Sequence, residues 1–334
     1  MDRFSRRTSV LSLGLTGLAL VGVLAGCGTS SSGGSTNAGV SPSASTATGP
    51  AICGGATGSG KVTLAAFNFS ESETLANIYA AALNECGYTA SVTDLASREV
   101  VYPALKKGSF AAVPEYAATL TDFINDLKNG ANAPTKASGN ITVTMAHLRA
   151  ELPATLKALD PATATDKNAF AVTKAFATAH NITTLSQLGT YSQTHPLKLG
   201  GPPECNKRPF CEPGLEKTYG MKFSGLTTLD AGGPLTIKAI KSGKVDLGLV
   251  FTSDPTPAAN GLVVLTDDKN LQASDNIVPI VQSKYATGAF ANALNAVDQK
   301  LTQSVLIGLN KAVEVNREPI TAVATAFLKQ EGLS

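Results

Sequence analysis

Aromatic rings, hydroxyls and charges recur in this sequence at the ends of predicted strands, where α/β architectures gather their ligands. Phe67 and Phe251 offer apolar walls, and Tyr116 adds a phenol. Ser70 and Ser97 stand where hydroxyls sit beside helix N-termini, Arg98 and Arg208 are candidates to meet an anionic group, and Asp166, in the turn Ala164-Thr-Asp-Lys-Asn168, is a candidate to face a cation. This is chemistry for holding a small solute. Each residue also has a structural alternative: core packing for the phenylalanines, helix capping for the serines, an ion pair with Glu99 or Asp94 for Arg98, solvation of its own loop for Arg208, and packing beneath a chain crossover for Tyr116. Bond-breaking chemistry has little support, because there is no G-x-S-x-G and no H-E-x-x-H, and His147, His180 and His195 are scattered. The chain is therefore read as a non-enzyme, with no cofactor and no catalytic or metal-ligating residue.

These positions need elements to hold them. Val62–Phe67 is a short apolar run, and Ser70 with Glu73 three residues on reads as a capping box opening a helix that Gly87 stops. Ser91–Leu95 reads as a strand, Ser97 as the N-cap of a helix ending at Gly108, and Phe110–Val113 as a strand broken by Pro114. Helical periodicity follows around Thr119–Lys128 and Val143–Leu156, then a strand at Ala169–Thr173, a helix near Leu185 and a strand at Leu197–Gly200. Pro213–Tyr219 and Leu235–Ser242 read as helices, Phe223–Leu229 and Val245–Phe251 as strands. Strands at Leu262–Thr266 and Ile277–Gln282 return before two amphipathic helices, about Ala296–Val315 and Pro319–Gln330. The alternation implies α/β with open parallel sheets, and about 270 folded residues suit two lobes.

The amino-terminal stretch reads differently. Arg3, Arg6 and Arg7 precede an uncharged apolar run from Val10 to Ala25, the pattern of a secretion signal over residues 1–26. It ends in Leu24-Ala25-Gly26-Cys27, which looks like the lipobox of bacterial lipoproteins and makes Cys27 the lipidation candidate; an ordinary signal peptide is the alternative. Residues 27–60 follow as a lipid-anchored tether, uncharged from Gly28 to Gly60 and rich in Gly, Ser and Thr. Its Gly55-Ala-Thr-Gly-Ser-Gly60-Lys61 nearly spells a phosphate-binding loop, but Val62 replaces the needed hydroxyl and no strand precedes it. Removing the signal takes away three Arg and one Asp of the chain's 27 basic and 25 acidic residues, so the rest is balanced and a nucleic-acid partner is not expected. Besides Cys27 there are four cysteines. Cys205 and Cys211 share one Pro-rich loop and are expected to pair, leaving Cys53 for Cys86, although four cysteines permit three connectivities.

Five stretches then fall into register: Phe67-Asn-Phe-Ser-Glu-Ser72, Ser97-Arg-Glu-Val100, Pro114-Glu-Tyr116, Pro213-Gly-Leu-Glu-Lys217 with Tyr219-Gly220, and Leu262-Val-Val-Leu-Thr-Asp-Asp268. In order and spacing the chain resembles the glycine betaine/choline/carnitine (osmoprotectant) substrate-binding proteins of ABC importers, over roughly residues 61–332, in an actinobacterial-like branch. The resemblance implies a two-lobed periplasmic-binding-protein fold, type II-like with two crossover segments. Lobe one is drawn as 61–117 and 256–334, lobe two as 118–255. It also implies a monomeric receptor on the extracellular face of the membrane, held by its lipid anchor, that passes a small solute to a permease and its ATPase subunit. Such proteins hold a quaternary ammonium among tyrosines. Here Ala66-Phe67-Asn68-Phe69 stands where Ser-Lys-Asn-Phe is common, Val113-Pro-Glu-Tyr116 where Tyr-Pro-Glu-Tyr is common, and Phe251 where a Tyr is common. A phenolic or other aromatic ligand, or a sensory role on the same fold, are the alternatives these departures leave open.

Overall fold

The apolar run from Val62 forms a strand, and the chain then alternates strand and helix in a computed structural model that describes residues 49–131 and 133–334. The signal segment, Cys27 and most of the tether lie outside the described residues. The first half runs β1 (Lys61–Phe67), α1 (Ser70–Glu85), β2 (Thr89–Leu95), α2 (Arg98–Lys106), β3 (Ala112–Tyr116), α3 (Ala117–Asn129), α4 (Ile141–Glu151) and β4 (Leu156–Ala158). Then come β5 (Asn168–Thr173), α5 (Lys174–His180), α6 (Leu185–Ser192), β6 (Leu197–Gly201), α7 (Glu212–Tyr219), β7 (Phe223–Thr228), α8 (Pro234–Lys241), β8 (Leu247–Phe251), α9 (Thr256–Ala259) and β9 (Leu262–Val264). The chain closes with β10 (Ile277–Gln282), α10 (Gly288–Lys300), α11 (Gln303–Asn310) and α12 (Ile320–Gln330).

Two five-stranded sheets result, ordered β2-β1-β3-β10-β4 and β7-β6-β8-β5-β9. They share one plan. Three strands are parallel, the fourth runs antiparallel to the third, and the fifth antiparallel to the fourth. The expectation of wholly parallel sheets is therefore corrected to mixed ones: β10 and β5 each enter from the opposite sheet instead of through a helical crossover. The chain passes between sheets twice, after β4 and after β9.

Sheet membership also moves the lobe boundaries. Residues 118–158, expected in lobe two, pack on the first sheet: β4 pairs with β10, and Leu120, Ile124, Leu148 and Leu156 join the core of Leu64, Leu75, Ile280 and Phe290. Conversely β9, expected in lobe one, pairs with β5 in the second sheet. Strand β5 shows the two faces of that sheet, Phe170 and Val172 entering one core and Ala169 and Ala171 the other. Helix α8 lies so close that a Cβ on Gly248 would come within 2.5 Å of the Ile240 side chain.

Other departures have local causes. Pro114 does not end β3, because it faces Pro279 on β10 and lies beyond the one register point, Ala112 with Leu64, where β3 meets β1; no N–H is needed there. The helix drawn over 296–315 is α10 and α11, parted where the Thr302 side chain accepts from Val305 N–H, followed by a π-helical turn at Lys311–Val315. Ser70 does not cap α1: Phe69 is the extended N-cap residue, and Ser70 is the first helical residue. Cys53 is bonded to Cys86 at the end of α1, and Cys205 to Cys211.

Candidate functional site

The strand ends of both sheets converge on a cavity of about 760 Å³. The first sheet supplies Phe67 at the end of β1 and Asn68 just after it, Ser97 and Arg98 at the start of α2, and Tyr116 at the end of β3. The second supplies Phe251 at the end of β8 and the loop Pro202–Cys211, while Asp166 and Asp275 come from the two crossovers. A volume in this range is ordinary for small-ligand sites.

Phe69 is the hub of its aromatic lining. Its ring centroid lies 5.7 Å from Phe251, 6.1 Å from Tyr116 and 6.2 Å from Phe67. Behind Phe251 sits Gly232, at φ +72°, where a Cβ would come within 3.1 Å of the ring. One approach to Phe67 is already occupied by the Arg98 guanidinium, 5.4 Å from the ring centroid. Phe210 plugs the far side, packing on Ala118 and Ala273.

The charges are arranged in layers. Arg98 is buried and grips Glu115 with Nε and Nη2 at 2.8–3.1 Å, and Nη2 also donates to Thr119 Oγ1 at 2.9 Å. Burial opposes the Arg98 charge, yet Glu115 outweighs it and its pKa is raised above the free value. Arg208 reaches across to the first sheet, donating from Nη2 to Glu99 Oε1 and Oε2, and lies 3.3 Å from Glu204; its Nε is buried without a partner among the described residues. Burial and the neighbouring Arg98 hold its pKa below the usual value. Asp275 accepts from the Ala118 and Thr119 N–H groups at the start of α3, and burial pushes its pKa up to about 7.

A second knot lies under the rings. Tyr116 Oη donates to Glu71 Oε1 at 2.8 Å, and Ser253 Oγ lies 2.6 Å from both Glu71 Oε2 and Asp166 Oδ1. A single hydroxyl proton serves one of those carboxyl oxygens, so the knot holds a further proton. Burial raises both carboxyl pKa values, that of Asp166 strongly; the Glu71 charge raises Asp166 further, and the Asp254 charge raises Glu71.

Seven of the eight residues singled out from the sequence, Phe67, Ser97, Arg98, Tyr116, Asp166, Arg208 and Phe251, line this cavity. Ser70 lines a smaller neighbouring one. Arg98, expected as a candidate for an anionic group, spends its charge on Glu115. Ser97 occupies the N-cap position of α2 with no side-chain bond to the helix backbone. Phe69, Glu71, Ser253 and Asp275 were not singled out. Phe69 and Glu71 lie inside the Phe67–Glu71 strand-end segment and Ser253 inside the segment Phe251–Asp254, but Ser253 and Asp275 act on residues more than 150 positions away.

A family model described as the substrate binding domain of ABC-type glycine betaine transport system matches residues 60–330. Among solved structures, a glycine betaine/carnitine/choline ABC transporter is 21% identical, covering 81% of this chain and 99% of its own, with a TM-score of 0.61. Apo YehZ from Escherichia coli is 26% identical, covering 82% and 99%, with a TM-score of 0.57. Lactococcal OpuAC, closed on glycine betaine, is 17% identical, covering 81% and 96%, with a TM-score of 0.56. The two below 25% identity show the fold: α/β, with two lobes about one cleft.

Proposed function

The chain belongs to the family of substrate-binding domains of ABC-type glycine betaine transport systems, and from that premise we propose that it captures a small onium solute, of the glycine betaine or choline class, in the larger cavity and delivers it to a permease coupled to an ATPase subunit. The observation that carries this reading is the Phe69 cluster. Phe67, Phe69, Tyr116 and Phe251 gather ring faces at one end of the cavity, beside the Asp166 carboxyl. A desolvated quaternary ammonium gains about 0.5–2 kcal/mol from such a ring. At the other wall Arg208, paired with Glu99 and Glu204 but with Nε unpartnered, would meet a ligand carboxylate. Ser97 and Asp275 complete the polar lining in this reading, and Ser70 stands outside it.

Calorimetric titration with choline, glycine betaine and carnitine tests the proposal. Saturable binding that weakens when Phe69 is changed supports it; no binding of any of the three at about 1 mM overturns it, since transport receptors are useful only well below that level. The same reading makes Cys27 the lipid attachment site and the extracellular membrane face the location, with a monomer as the working unit. Palmitate labelling that survives Cys27→Ala would remove the anchor from the proposal. A second reading rests on Phe67, Phe69, Phe210 and Phe251: four phenyl rings without the family's usual phenols also suit a planar aromatic ligand, and a phenolic acid in the same titration discriminates.

A further inference from the structure

On the opposite side of the Phe69–Phe251 pair lies a second cavity, of about 360 Å³, which shares Asp166 with the larger one. Its walls are acidic. Glu71 and Asp166 face it with Ser253, Asp254 and Glu314 face it from either side of the lobe boundary, and Arg317 is the one basic residue among the lining residues.

Each carboxyl pair gathers around one hydroxyl residue, Ser253 for Glu71 and Asp166 and Thr256 for Asp254 and Glu314. Ser253 Oγ stands 2.6 Å from Glu71 Oε2 and from Asp166 Oδ1 with one proton to give. Asp254 Oδ1 accepts from the Thr256 N–H and Glu314 Oε2 from the Thr256 hydroxyl, and burial with Asp254 beside it raises the Glu314 carboxyl pKa to about 8. The independent observation is Asn310. It lines the cavity at 2% exposure, and its Nδ2 is spent on Glu71 Oε2 at 2.5 Å and the Ser253 carbonyl at 3.2 Å. Its Oδ1 is buried with no hydrogen-bond partner among the described residues. A buried amide oxygen without a donor is costly, on the order of 1–3 kcal/mol, so the site favours a ligand that brings donors.

The chemistry narrows that ligand. Among the described residues no group of three His, Cys, Asp or Glu side chains is placed to hold a metal ion. Ring faces line one wall only, so a methylated ammonium, which has no N–H, leaves Asn310 Oδ1 unsatisfied. A primary ammonium supplies three donors and a charge. Two carboxyl pairs in one small cavity call for two such groups.

We propose that this cavity is a second ligand site, for a short aliphatic diamine in its diammonium form, one ammonium against Glu71, Asp166 and Asn310 Oδ1 and the other against Asp254 and Glu314. Binding displaces the protons that the two pairs hold, and these pass to the buffer. Arg317, at φ +62°, opposes the ligand's charge from the rim.

The test is calorimetry on the full chain with 1,4-diaminobutane, repeated in buffers of different ionisation enthalpy, with tetramethylammonium as the comparison cation. One saturable site with proton release is expected. Glu314→Gln should weaken binding about tenfold by removing a charge while keeping shape. Arg317→Asn, which suits a left-handed backbone, should tighten it about threefold, a gain that misfolding cannot mimic. No saturable binding at about 10 mM, equal binding of tetramethylammonium, or affinities unchanged in both variants overturns the proposal.

Discussion

Arg208 and Glu99 form a charge pair that bridges the two sheets: Nη2, on the loop closed by Cys205 and Cys211, lies 3.1 Å and 3.2 Å from the two carboxylate oxygens at the start of α2. Glu99 is depressed below its ordinary pKa despite partial burial, chiefly because Arg208 is beside it. The pair sits at the mouth of the cleft and is partly solvated.

Glu99→Gln should therefore loosen closure modestly. A half-exposed pair is worth about 0.2–1 kcal/mol, so ligand affinity should fall about 1.4- to fivefold, and the loss should shrink as salt is raised. Titration calorimetry at two ionic strengths checks it. An affinity that is unchanged at low salt would show that the pair does not contribute to closure.

Phe69→Leu keeps most of the apolar volume and removes the ring at the centre of the cluster. Quaternary ammonium binding should weaken about two- to thirtyfold, the worth of one cation–π contact, with melting temperature lowered far less than by Phe69→Ala. Parallel titrations and thermal melts separate the two effects.

Tyr79 Oη donates to Asp298 Oδ1 at 2.5 Å between α1 and α10, and Asp298 Oδ2 is buried without a partner. Burial raises the Asp298 pKa well above 3.8. Its folded pKa exceeds its unfolded one, so the protonated pair is fully stabilising below pH 3.8 and stability declines as pH rises toward the folded value, by about 1.4 kcal/mol per pH unit from this group alone. Asp298→Asn, neutral throughout, should be more stable than the parent at pH 7 and should flatten the decline, as urea unfolding at pH 5 and pH 7 will show.

The two disulfides should differ in worth. Cys53–Cys86 closes a separation of 33 residues and Cys205–Cys211 one of 6. Loop entropy gives about 3.7 and about 2.2 kcal/mol respectively. Replacing the first pair with serine should cost the greater stability in denaturant, whereas replacing the second should weaken ligand binding through the loop that carries Arg208.

Strands with strong apolar runs are legible in the sequence, Ile277–Gln282 to the residue, because their burial is dictated by side-chain type. The lobe boundaries are not legible. Leu156–Ala158 becomes a strand only because β10 arrives beside it from the other lobe, and no local pattern announces that pairing. Most of the predicted cavity lining is recovered because strand ends converge in any such fold. The proton-holding knot is not, since Glu71 and Ser253 are 182 residues apart. Nor does sequence show that Arg98 would be neutralised, because Glu115 reads as one acidic residue among many until β3 sets it against α2.

The Cys53–Cys86 bond also fixes where mechanical load enters the protein. Any pull on the chain ahead of Pro50 passes through the disulfide into the carboxyl end of α1, where Gly58 N–H is bonded to the Cys86 carbonyl. The segment from Gly54 to Gly60 and the first residues of β1 are bypassed. Tension is delivered to a helix packed on α10 and α12, and β1, which carries Phe67 at its far end, is not unzipped from β2 by a force on the chain ahead of Pro50.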